Sequence, residues 1–176
     1  GRPQALHRAL LRDLARQLLL FDAGRQQRAE LSLAESAGWL DVTHGLTFAG
    51  AVRWAAALDP DLLAPGLLQM ACFIGRNNGF LDRSVSERDW QVEDPAAFFA
   101  EAGHALLDHG ESEAIVAAHR VKTLTAIERE AAAVAEDPAL VALLAAACRR
   151  FLASGLRLKH PLRTARQALR LVESED

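Results

Sequence analysis

The stretch PQALHRALLRDLARQLLLF, residues 3–21, decides the fold class. Leu6, Leu10, Leu14 and Leu18 recur every fourth residue, and Leu11 and Leu19 widen the stripe. Arg8, Arg12, Arg16 and Gln17 lie off it. Apolar residues at that spacing line one face of an α-helix, with the polar face turned to water. Gly24, just past the end, is a helix stop.

The rest of the 176 residues reads in the same period. Ala and Leu, 35 and 29 of them, fill 64 of the 176 positions with two strong helix formers. Tyr is absent and β-branched residues are sparse, which argues against a sandwich or barrel. A second helix is expected over 25–37, stopping at Gly38. A third begins at Asp41 or Thr43, both good N-caps, and ends at Asp59-Pro60. A fourth covers 61–75, with Pro65 tolerated only in its first turn. Residues 76–94 read as an irregular loop, long enough to carry function. Further helices are expected over 95–109, from 111 or 112 to 136, from 137 to 154 or 155, and over 161–172. The expectation is therefore an all-α, single-domain bundle of about eight helices spanning 1–176, with no sheet. The chain opens on Gly and reads as a segment of a longer protein.

The formal net charge of −3 lacks the basic surplus of a nucleic-acid binder. The Arg-rich tail, Arg149 to Arg170, reads as a solvated helix face. Cys72 and Cys148 sit in apolar runs without a CxxC pair and read as buried free thiols. No apolar run approaches the ~20 residues of a membrane span. Arg2, Arg8, Arg12 and Arg16 interrupt any signal peptide. A cytoplasmic protein without nucleic-acid or membrane partners is the expectation.

Chemistry-bearing residues are few. His44, His119 and His160 fall in apolar helical surroundings, whereas His7 looks exposed and His104 and His109 lie near a helix end. A histidine is the ordinary general base or metal ligand near neutral pH. Gly45 and Gly50 inside one helix suggest close approach to another helix or to a ligand, because each costs about 1 kcal/mol relative to Ala. Trp54 and Phe73 read as core, and Trp90 as a lid residue over a pocket. The cluster His104, Asp108, His109, Glu111 and Glu113 reads as a solvated helix end. No Glu-x-x-His pair, HExxH, G-x-S-x-G elbow or phosphate loop occurs.

The segment His44-Gly45-Leu46-Thr47-Phe48-Ala49-Gly50-Ala51-Val52-Arg53 resembles the His-x-Leu/Val-Thr-Phe/Tyr-Ala-x-Ala-x-Arg stretch of the questin oxidase-like helical family. Ala118-His119-Arg120-Val121-Lys122-Thr123 is similar to a second stretch of that family, and the ending from His160 to Leu169 is similar to its closing helix. A helical region of this kind also occurs in Rieske-annotated chains. The resemblance implies an all-α domain of an oxidoreductase acting on aromatic, polyketide-type or similar small molecules by Baeyer–Villiger-type ring opening. His44, His119 and His160 would be the catalytic residues, or ligands of a non-haem metal ion. Thr47, Phe48, Lys122 and Trp90 would contact the substrate. The chain is shorter than a full questin oxidase and lacks the Cys-x-His and Cys-x-x-His ligands of a Rieske cluster. The alternative is a non-catalytic helical module that docks a redox partner, or forms a homodimer through a small-residue face such as Gly45, Ala49 and Val52.

Overall fold

The computed structural model describes residues 2–28, 31, 35–108, 110, 113–155 and 161–173. Seven α-helices run through them: α1 (Arg2–Leu20), α2 (Trp39–Leu58), α3 (Leu63–Asn77), α4 (Pro95–Ala105), α5 (Ala114–Ala133), α6 (Pro138–Ala153) and α7 (Pro161–Glu173). The described residues contain no β-strand, only an isolated antiparallel bridge between Phe21 and Leu81.

Three Asp-Pro steps set helix starts. Asp94 accepts from the N–H groups of Ala96 and Ala97, and Asp137 from that of Leu140. Asp59 accepts from Asp61 and opens a 3-10 turn that leads into α3. Each carboxylate satisfies donors that a helix start leaves orphaned, and Pro follows where no N–H is needed.

The helix expected over 25–37 is replaced by a short 3-10 turn, Ala23–Gln27, and the described residues after it are not helical. Here side chains hold the backbone instead of a helical ladder. Asp22 accepts from Gly24 N, Arg25 donates to the carbonyl of Glu35, and buried Gln26 donates to that of Gly155. Between the end of α3 at Asn77 and the start of α4 at Pro95 the chain forms no α-helix. It carries 3-10 turns at Asn78–Phe80 and Glu87–Trp90, and backbone bonds from Asp22 to Phe80 and from Asp82 to Leu20 tie it to the end of α1.

Helix α1 lies at the centre, packed on α2, α3 and α6, while α5 packs on α2 and α6. Its buried stripe is His7, Leu11, Leu14, Leu18 with Ala15, Gln17 and Leu19, so Leu6 turns outward and His7 inward. The seats are tight. A Cβ on Gly45 would lie 2.6 Å from Leu14 of α1, and one on Gly66 2.6 Å from Val52. The close approach expected at Gly45 is therefore to a helix. Gly45, Ala49 and Val52 are buried within the chain, so this face is not free to form a homodimer.

Arg150, expected on a solvated face, is buried. Its guanidinium donates to the carbonyls of Leu19 (2.6 Å) and Phe21 (2.9 Å), the orphaned acceptors at the end of α1. It stacks over Trp39 and lies 6.0 Å from the ring of Trp90. Two further expectations fail. Trp54 is 68% exposed, since it lies on the side of α2 turned away from α1. Cys72 is exposed, because α3 buries the opposite stripe of Gly66, Leu67, Met70 and Asn77. Cys148 is buried as expected, and burial pushes its thiol up to about 12, which makes it inert as a nucleophile. No helix among the described residues is long and apolar enough to cross a membrane.

Candidate functional site

Helix α2 is apolar almost all round. One side, with Val42, Leu46, Ala49 and Val52, is buried in the core. The other side lines an open groove of about 1060 Å³, facing α5 and Phe73 of α3. Thr47, Phe48, Ala51, Trp54 and Ala57 come from α2, and Thr125 and Ala126 from α5. Successive turns of a helix present residues three and four apart to the same side, which is the spacing of Lys122, Thr125, Ala126 and Arg129 along α5.

His44 stands at the exposed rim of the groove. His119, half-buried on α5, meets it, with ring centroids 5.8 Å apart and the planes tilted by 53°. Two motifs far apart in sequence thus bring their histidines to one place. Desolvation lowers both imidazole pKa values, and the Lys122 ammonium lowers both further. Both rings are therefore neutral near pH 7, each with one nitrogen that donates and one that accepts. Nδ1 of His119 is buried without a hydrogen-bond partner.

The far end of the groove holds a network that sequence reasoning missed. Arg53 embraces Glu130 with Nε at 2.9 and 3.1 Å from its two oxygens and Nη2 at 2.7 Å. Glu130 is only 2% exposed. Arg53 also reaches His7 Nδ1 at 3.3 Å, while His7 Nε2 lies 3.0 Å from the carbonyl of Ala49. A carbonyl only accepts and a guanidinium only donates, so His7 carries its proton on Nε2 and is neutral. Burial lowers its pKa in the same sense. Arg53 lines a second cavity of about 300 Å³ behind the groove, with Gln4, His7 and Leu63. One signal could have found His7: it continues the spacing Leu11, Leu14, Leu18 by one step. Glu130 continues Thr123 and Ile127 on α5 in the same way.

Of the residues picked from the sequence, Thr47, Phe48, Lys122 and His44 line the groove. Trp90 does not line it. It packs half-buried against the core beside Arg150. His160 lies outside the described residues, as do His109 and Glu111. His104 and Asp108 are exposed. Among the described residues no three His, Cys, Asp or Glu side chains come together as metal ligands. Of the three histidines expected as metal ligands, the described residues hold two, His44 and His119. Comparison with family models, curated proteins and solved structures finds no match for this chain.

Proposed function

We propose that the chain is the helical domain of a questin oxidase-like oxidoreductase, and that the α2/α5 groove binds a flat, largely apolar small molecule bearing a ketone or phenol oxygen. The observation that carries this reading is the meeting of His44 and His119 at one end of a groove walled by Phe48, Phe73, Ala51 and Ala126. The apolar walls take the ring system through burial and aromatic contact. The two neutral imidazoles take the oxygen. One ring accepts a phenolic proton while the other donates to a carbonyl, and neither must first lose a proton of its own. The Thr47 hydroxyl already donates to the carbonyl of His44 at 3.2 Å, so toward a ligand its oxygen acts as an acceptor.

The test is a titration of the ring nitrogens of uniformly 15N-labelled protein with 1-naphthol. The expected result is a shift at His44 and His119 with exposed His104 unmoved. Equal small shifts at all histidines, or none, overturn the reading. A His44→Gln variant that binds 1-naphthol as tightly as the parent chain does so too.

A further inference from the structure

The charges around the groove do not cancel. Its lining holds three permanent cations, Arg53, Lys122 and Arg129, and one carboxylate, Glu130. Arg53 and Glu130 consume each other in the bidentate pair. Lys122 and Arg129 form no ion pair among the described residues. They remain as two uncompensated positive charges on the same face of α5, in a chain whose net charge is −3.

Lys122 is also a compositional exception. Of 20 Lys and Arg residues only Lys122 and Lys159 are lysines. Arginine serves the structural contacts here: Arg8 and Arg12 pair with Glu136 and Asp137, Arg76 with Asp41, and Arg150 caps α1. A lysine differs in presenting a compact point charge on a flexible stem, suited to a single oxygen rather than a planar fork. This one stands one turn after His119 and acts on both imidazoles.

We infer that the groove selects an anionic aromatic ligand, a carboxylate or phenolate on a flat ring system, whose charged oxygen sits against the Lys122 ammonium beside His44 and His119. The inference rests on the groove reading above and adds the charge of the ligand. The His44-to-Arg53 span of α2 sets the length available: nine residues at about 1.5 Å each give roughly 14 Å, enough for two or three fused rings. Arg129 lies two turns beyond Lys122, at the other end of that span, where it adds long-range attraction rather than the first contact. Lys122 is exposed at the edge of the groove, so a neutral ligand of the same shape leaves its ammonium in water and forgoes the charge-assisted contact that the acid makes.

The experiment compares anthracene-2-carboxylate with anthracene-2-carboxamide by fluorescence titration against the full chain. The acid is expected to bind about tenfold tighter, the size of one charge-assisted hydrogen bond. In Lys122→Met that preference is expected to fall to about twofold, and in Lys122→Arg to survive in large part. Equal binding of acid and amide to the parent chain overturns the anion assignment and leaves the groove reading standing. Absence of binding by both overturns the groove reading itself. A tenfold preference that persists in Lys122→Met, in a chain with an unchanged melting curve, overturns the role of Lys122.

Discussion

The two sides of α2 are built from the same kind of residue and do opposite things. Toward α1 and α3, Val42, Leu46, Ala49 and Val52 are shut in, with Gly45 letting Leu14 sit almost against the backbone. Toward α5, Phe48, Ala51 and Trp54 are just as apolar and stay partly or fully in reach of solvent. A helix apolar all round is normally buried all round. Here one side is left uncovered, and that side collects the histidine pair, the groove lysine and the pair of half-buried Arg53 with buried Glu130. On the reading proposed above, the apolar surface kept open next to these polar groups is where the ligand lies.

The sharpest way to break this contrast is to truncate one residue on each side. Leu46→Ala should cost about 3 kcal/mol in denaturant unfolding, through lost burial and the cavity left behind. Trp54→Ala, a larger truncation in volume, should change stability by no more than about 0.5 kcal/mol because the ring is already wet. Similar costs for the two would show that the groove side is as much a part of the core as the other.

Next in size is the link between the two sides. Arg53→Met leaves the carboxylate of Glu130 buried without its cation, and should cost about 2 kcal/mol, since the open side of Arg53 lets some water in. Glu130→Gln together with Arg53→Met should recover part of that loss, measured as a double-mutant cycle. Full additivity would mean that the pair is not coupled.

A smaller effect lies in the acid limb of stability. The folded pKa of His7 is lowered by burial, so the unfolded chain takes up its proton first. The stabilisation is present above the unfolded value of about 6.5 and is lost as pH falls below it. His44 and His119 have lowered values too and add the same sign. His7→Gln should flatten the stability-versus-pH curve between about pH 6.5 and 5. An unchanged slope would place the acid sensitivity elsewhere.

The smallest effect sharpens the groove side alone. Removing the ammonium in Lys122→Met should raise the ring pKa of both His44 and His119 in an NMR titration and leave His7 unmoved. Movement of one ring only would separate the two histidines electrostatically.

How much of this could be read in advance depends on where each residue finds its partner. The helix starts at Asp94-Pro95 and Asp137-Pro138 are local devices, complete within four residues, and they are legible. The segment 25–37 has acceptable helix propensity, but its described residues are not α-helical, and Gln26 is held by the carbonyl of Gly155, which no local pattern reveals. Gln17 and Arg150 look like surface residues for the same reason. Gln17 is buried because it donates to Ile74, and Arg150 because it serves the end of α1. Trp54 misleads in the other direction, since an all-round apolar helix does not say which side its neighbours leave bare. At the site, His44 is visible as a polar exception in an Ala/Leu background, whereas Thr47, Phe48 and Lys122 enter through the family resemblance. The spacing places His7 and Glu130 on buried stripes, but their pairing with Arg53 is not legible, because charge pairing between helices has no periodicity of its own.

Trp54 and Trp39 give the protein its own optical label. Trp54 stands in water at the rim of the groove, whereas Trp39 is sealed between Phe21, Phe151 and the Arg150 guanidinium. Their emission should therefore separate, with Trp54 at the long-wavelength edge and Trp39 at the short-wavelength edge. Detection at the long-wavelength edge of the emission then weights the indole that a ligand in the groove would touch. Occupancy can be followed in the unmodified chain, and the signal from Trp39 serves as an internal standard for intactness of the core.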